Sequence, residues 1–299
     1  MHPVITANGK RGDRLPPWFK VRLSIGSAFI KVRNRIREGA LHTVCESAAC
    51  PNRNECWNAG TATFLILGDR CTRSCAFCNI SSGEPRAVDQ DEPRRVAEAV
   101  ASMALAYAVV TSVTRDDLPD GGANVFADVI RTIHTISPHC RIEVLVPDFQ
   151  GSVASLETVL DAAPHVVNHN VETVPSLYPR VRPAADYGRS LRLLERAKQR
   201  GFVTKSGIML GLGEGMDMVR PVLQDLLSAG CKILTIGQYL QPSLNHLPVE
   251  RYYRPEEFEE LRTEALGLGF DHVVSGPLVR SSYHAACYGA EPVTCERNL

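Results

Sequence analysis

An α/β fold, a partial (β/α)6 TIM-like barrel with N-terminal and C-terminal extensions, follows from three features of the chain. Short apolar, β-branched runs recur six times, a stretch of helical spacing follows each run, and 299 residues at 44% hydrophobic content supply the core of one large domain. The expected strands are Thr61 to Leu67, Tyr107 to Val113, Arg141 to Val146, His165 to Val171, Phe202 to Leu210 and Cys231 to Tyr239. The expected helices are Pro93 to Ala106, Asn124 to Ile136, Val153 to Ala162, Tyr187 to Arg200, Met216 to Ala229 and Pro255 to Leu268. In the fourth helix Leu191, Leu194 and Ala197 recur at three-residue intervals while Arg192, Glu195, Arg196 and Lys198 fill other faces, which is the pattern of a helix laid on a sheet. Six βα units in series imply parallel strands with right-handed crossovers. Residues 1–60 then form an N-terminal extension, 61–280 the barrel and 281–299 a C-terminal extension. In such folds chemistry gathers at the C-terminal ends of the strands.

Composition excludes several function classes. Thirty-three Lys plus Arg balance thirty-three Asp plus Glu, without the positive excess of a nucleic-acid binder. No apolar run is long enough to span a bilayer, so no membrane partner is expected. The opening MHPVITANGKRGDRLPPWFK has no apolar signal core. The first forty residues are locally basic, with Lys10, Arg11, Arg14, Lys20, Arg22, Lys31, Arg33, Arg35 and Arg37 against Asp13 and Glu38. A solvated arm is the plain reading of that bias, and a docking surface for an acidic protein the sharper one.

Ten cysteines carry the chemistry, and six of them fall into two triples: Cys45, Cys50, Cys56 and then Cys71, Cys75, Cys78. An iron-sulfur cube has four irons, so three thiolates leave one iron open. The second triple reads C-x3-C-x2-C with the aromatic Phe77 before its last cysteine, immediately after the first strand. A secreted disulfide framework is excluded by length and by the missing leader. Zinc usually takes paired C-x2-C halves and stays the alternative on spacing alone, while thiolate ligation of iron-sulfur clusters fits the triples better. Placement in a reducing compartment, the cytoplasm, follows. Cys140, Cys231, Cys287 and Cys295 stand singly and are given no role.

C-x3-C-x2-C at the head of six βα units resembles the radical S-adenosylmethionine (SAM) superfamily. Within it, Cys50 to Ile80, Val110 to Ala123, Val167 to Pro175, Thr204 to Glu214 and Val279 to Ala285 are similar to the lipoyl synthase family, in order along nearly the whole chain from Leu15. One departure is visible: Ser47 stands where that family suggests an acidic residue.

The resemblance implies a sulfurtransferase. It attaches sulfur at C6 and C8 of an octanoyl group already linked to a lysine of an acceptor domain, either a 2-oxoacid dehydrogenase E2 or a glycine-cleavage H protein. No general base removes such aliphatic protons, so radical chemistry must come from a cofactor. By the resemblance, Cys71, Cys75 and Cys78 hold a 4Fe-4S cluster whose open iron binds SAM, which is cleaved to methionine and a 5′-deoxyadenosyl radical. Cys45, Cys50 and Cys56 hold a second 4Fe-4S cluster, the sulfur source. Its fourth ligand is a serine of Arg280 to Tyr283, Ser282 first and Ser281 second. Alkoxide is a harder, less matched ligand than thiolate, which suits a cluster meant to be dismantled. Two SAM per lipoyl group and a reduced flavodoxin or ferredoxin complete the set.

For SAM itself, Gly207 to Glu214 resembles the superfamily's adenine-side segment, with Met209 in the isoleucine place and Gly211 and Glu214 within it. Asn170 and Glu172 are placed at the ribose, and Thr111, Ser112 and Lys205 at the polar end. Arg115, Asp116 and Asp117, followed by Gly121 and Gly122, read first as a salt-bridged loop. Two rivals remain: another sulfur-inserting radical SAM enzyme, or a two-cluster electron carrier.

Overall fold

A computed structural model describes residues 15–20 and 25–288. Cys295 and the basic residues Lys10, Arg11, Arg14 and Arg22 lie outside the described residues. The chain divides into two compact units.

One unit comprises Arg22–Thr72, Ile80–Asn168 and Ser282–Leu299. It opens with helix α1 (Ser27–Glu38), strand β1 (His42–Thr43) and the short helices α2 (Val44–Ser47) and α3 (Arg53–Asn58). Phe29, Val32 and Ile36 give α1 a buried stripe at helical spacing, and Phe29 packs on Trp57 of α3 with ring centroids 5.0 Å apart. Strands β2 (Thr63–Ile66), β3 (Arg70–Cys71) and β4 (Ser81–Ser82) follow, then α4 (Glu92–Ser102), β5 (Tyr107–Ser112), α5 (Ala123–Ile136), β6 (Arg141–Leu145), α6 (Val153–Leu160) and β7 (Val166–Asn168). β2, β5, β6 and β7 pair in parallel in that order, and β1 adds to β2 antiparallel. Every residue of β2 and all but the last of β5 are buried, the continuous apolar run of a sheet covered on both faces.

The other unit comprises Met1–Val21, Arg73–Asn79 and His169–Ser281. Its elements are α7 (Tyr178–Val181), α8 (Tyr187–Gln199), β8 (Val203–Leu210), α9 (Met216–Ser228), β9 (Ile233–Gln238), α10 (Pro255–Leu268) and β10 (His272–Gly276). β8, β9 and β10 are parallel. Leu194, Ile208, Leu223, Leu226, Leu234, Phe258 and Leu261 interlock between these strands and helices as its core. The last described element, α11 (Ala285–Tyr288), belongs to the first unit, where Ala285 packs on Tyr107 and Val109 of β5.

All six expected strands and six expected helices are present, with ends shifted by a residue or a few. β10 is a seventh parallel strand that the six-unit reading missed. Its sequence, HVVSG, holds two adjacent valines between polar or small residues, and only pairing along β9 makes it a strand. Among the described residues, no helix is long and apolar enough to cross a membrane.

Candidate active site

The first triple is assembled within one unit. Cys45 lies on α2, Cys50 in the turn after it and Cys56 on α3. Thr43 caps α2 by accepting from Glu46 N at 3.3 Å, the turn closes with Cys50 N donating to Cys45 O at 3.2 Å, and Thr61 Oγ1 donates to Cys56 O at 3.0 Å. Burial pushes the Cys45 thiol up to about 11, the charge of Cys50 adds to it, and the Thr63 N–H and the Trp57 indole oppose it. Cys56 is pushed up to about 12 by burial, then by the charges of Cys45, Cys50 and Glu55. Three cysteines, one buried and two half-buried, within reach of one another's charge are a donor set that a cationic group completes, which fits iron.

Ser282 reaches the same neighbourhood from the far end of the chain. Thr63 Oγ1 donates to Ser282 Oγ at 2.8 Å, and the backbone amide of that threonine is among the groups that draw the Cys45 thiol down against its burial. Tyr283 Oη and His284 Nε2 both meet Glu55 Oε1, at 2.9 and 3.0 Å, beside Cys56. Ser282 is thus tied to the neighbourhood of the first triple through Thr63. Thr63 and Glu55 went unnoticed in the sequence. A threonine in a strand and a glutamate in a helix carry no signal until the C-terminal segment is laid against them.

Of the second triple, Cys71 belongs to the unit just described. It ends β3, opposite Ser82 of β4, and its sulfur accepts from Thr114 N at 3.3 Å, the kind of backbone donor that tunes a cluster thiolate. Cys75 and Cys78 belong to the other unit, joined by a turn in which Cys78 N donates to Cys75 O at 3.0 Å. His246 Nε2 meets Cys78 O at 3.0 Å, and Phe77 packs against the cluster of Val181, Leu212, Tyr239 and Val249. All three of these cysteines are half-buried. Among the described residues no three Cys, His, Asp or Glu side chains converge on a single metal ion; the donors of a cube stand apart, each on its own iron.

The residues expected at SAM lie where strands end. Ser112 closes β5, and its Oγ is buried without a partner. Asn170, two residues past β7, donates from Nδ2 to Glu172 Oε1 at 3.1 Å and leaves Oδ1 buried and unpaired, an acceptor open to a donor. Glu172 is held at φ 65 in the left-handed region, and burial raises its carboxyl above the usual range against the pull of Arg182. Lys205 is buried on β8, while Thr111 spends its hydroxyl on Leu145 O at 2.8 Å.

Glycines in this region make room for protein as well as for ligand. A Cβ on Gly207 would meet Thr235 Oγ1 at 2.6 Å and Asn170 Oδ1 at 2.9 Å, and one on Gly211, at φ 103, would meet Gln238 Nε2 at 2.1 Å. Glu214 accepts from Gly211 N at 2.5 Å and Leu212 N at 2.9 Å, so its carboxylate shapes that turn. Arg115 is buried and forks onto Asp117 at 2.8 and 2.9 Å, the salt-bridged loop expected. Burial pushes the lone Cys140 and Cys231 thiols up to about 11 and about 12. Cys287, read as single, is instead disulfide-bonded.

A model of the radical SAM superfamily matches residues 65–226, and a model of the N-terminal domain of lipoyl synthase matches residues 3–50. Methylornithine synthase has a similar fold, with a TM-score of 0.52 at 14% identity, over 71% of this chain and 70% of that one. Streptococcus suis SuiB bound to S-adenosylmethionine gives a TM-score of 0.57 at 8% identity, over 75% of this chain and 54% of that one. The chain is a radical SAM enzyme, a class that uses a 4Fe-4S cluster and SAM.

Its place within the class is set by closer relatives. It is 55% identical to the lipoyl synthase of Mycobacterium leprae over 91% of this chain and 87% of the relative. It is 56% identical to that of Pelodictyon phaeoclathratiforme over 90% and 92%, and 55% identical to that of Rubrobacter xylanophilus over 95% and 88%. The chain belongs to the lipoyl synthase family, sulfur-inserting enzymes that act on a lipoyl-accepting protein and draw on an electron donor.

Proposed function

We propose that this enzyme builds the lipoyl group by placing sulfur at C6 and C8 of a protein-bound octanoyl-lysine, with Cys45, Cys50, Cys56 and Ser282 holding the 4Fe-4S cluster that donates the sulfur. The observation that carries the reading is the gathering of Ser282 with the first triple through Thr63 and Glu55, because a radical SAM enzyme that only abstracts hydrogen needs no such second donor set. Cys71, Cys75 and Cys78 hold the SAM-binding cluster. Bound there, reduced cluster and SAM supply the hydrogen-abstracting chemistry that side chains cannot, and the second cluster supplies sulfur.

The protein's own work is holding, orienting and drying. Thr114 N donates to Cys71 Sγ and fixes the orientation of that thiolate. Phe77, anchored in an apolar cluster, keeps the Cys75 to Cys78 turn in one conformation. Asn170 and Glu172 take the ribose hydroxyls, Thr111, Ser112 and Lys205 the amino-acid end, and the Gly211 turn shaped by Glu214 lies along the adenine. Residues 1–60 carry the first triple, 61–280 the barrel and 281–299 the serine segment. Two SAM serve each lipoyl group. The acceptor is the lipoyl domain of a 2-oxoacid dehydrogenase E2 or a glycine-cleavage H protein, reduced flavodoxin or ferredoxin is the donor, and the cytoplasm is the compartment.

Anaerobically reconstituted protein with SAM, dithionite and an octanoyl-lysine peptide tests the reading. It should yield 5′-deoxyadenosine and a thiolated peptide. Deoxyadenosine with an untouched peptide would remove the substrate and leave the class.

A further inference from the structure

We propose that Thr63 is a positioning residue for Ser282, its hydroxyl donating to Ser282 Oγ and continuing to donate when that oxygen binds iron, so that the oxygen is aimed at the cluster and some of its charge is drawn away. The inference rests on the reading of Ser282 as a ligand of the second cluster. Thr63 is the first residue of β2 and is buried. Its hydroxyl donates to Ser282, 219 residues away in sequence, from a strand paired with β1, whose last residue, Thr43, caps the helix that carries Cys45. A residue fixed by parallel pairing to Val109 cannot shift to follow a wandering loop, so the threonine sets the serine's position and not the reverse.

Protein contacts on both sides of Ser282 dock its segment. Ala285 packs on Tyr107 and Val109, the latter being the pairing partner of Thr63. Tyr283 and His284 clasp Glu55, and their rings meet edge-on at 4.1 Å. Glu55 is 55% exposed, and such a surface contact is worth at most about 1 kcal/mol. His284 sits at φ 52, a left-handed conformation that the docking must hold. The outer clasp is thus weak while the inner Thr63 bond is shielded, so the position of the serine rests mainly on Thr63.

The test uses the full chain with Thr63→Val, an isostere without the hydroxyl, Thr63→Ser, which keeps it, and Ser282→Ala. Hydrogen exchange on the metal-free proteins reads the docking: losing one hydrogen bond should speed exchange at Ala285 and Cys287 about fivefold in Thr63→Val and leave Thr63→Ser near wild type. In the loaded proteins the midpoint potential of the second cluster should fall in Thr63→Val and return in Thr63→Ser, since a hydrogen bond to a ligand favours the reduced, more negative state. If Thr63→Val matches wild type in both readouts while Ser282→Ala shifts the potential, the proposal is overturned and Ser282 stands as a ligand. If Ser282→Ala leaves the potential unchanged, both fall. Equal effects of Thr63→Val and Thr63→Ser would make the position one of packing and overturn the proposal.

Discussion

Cys45, Cys50 and Cys56 sit on and between the short helices α2 and α3 beside the buried Trp57, Cys45 buried and the other two half-buried, whereas Cys71, Cys75 and Cys78, all half-buried, sit on the segment between β2 and α4. Burial and neighbouring charge raise the Cys45 and Cys56 thiols of the first set, and a distant serine meets its neighbourhood through Thr63. The second set has a backbone donor on Cys71, and the strands ending in its fold offer unpaired polar atoms. Equal numbers of cysteines are thus held differently: under the proposed function the set built on short helices and tied to a serine from the far end of the chain suits a group to be stored and consumed, and the loop set a group that must meet a substrate.

The comparison breaks most decisively at the cysteines. Replacing Cys71, Cys75 or Cys78 with Ala should abolish 5′-deoxyadenosine formation, whereas replacing Cys45, Cys50 or Cys56 should leave it measurable and end thiolation. Equal loss of both products from either set would contradict the division. Next in size is Gly211→Ala, which needs a strained left-handed alanine pressed on Gln238 and the Arg251 carbonyl. It should cost about 3 kcal/mol in urea unfolding.

Asn170→Ala removes an unpaired buried acceptor and should weaken SAM binding by about tenfold in equilibrium titration. Iron content should not change. The smallest effect concerns pH. Glu92 accepts from Leu67 N at 2.7 Å, and burial holds its carboxyl above the usual carboxylate range. The folded chain therefore keeps a proton that the unfolded chain has released. That contribution to stability is full below the unfolded value and is lost as pH rises through the raised one. Glu92→Gln should flatten the decline, seen as urea midpoints that differ less between about pH 5 and about pH 8 than in wild type.

Much of this was legible in one dimension. Continuous apolar runs such as TATFLIL announce strands covered on both faces, and the helix from Tyr187 shows its stripe in residue order. The cysteine triples were legible because their spacing is local. What stayed hidden depends on contacts made across the sequence. β10 becomes a strand only beside β9, and Thr63 and Glu55 acquire a role only when residues 282–284 return to them. Gly207 opens the segment that resembles the superfamily's adenine side, and the sequence does not show that the space beside it is taken by Asn170 and Thr235.

Counting iron and acid-labile sulfide in anaerobic protein, with and without Cys45, Cys50 and Cys56 replaced together by Ala, addresses the division of labour directly. The wild type should carry about eight irons per chain and the triple variant about four, with deoxyadenosine formation kept. About four irons in the wild type, or loss of SAM cleavage in the variant, would contradict it.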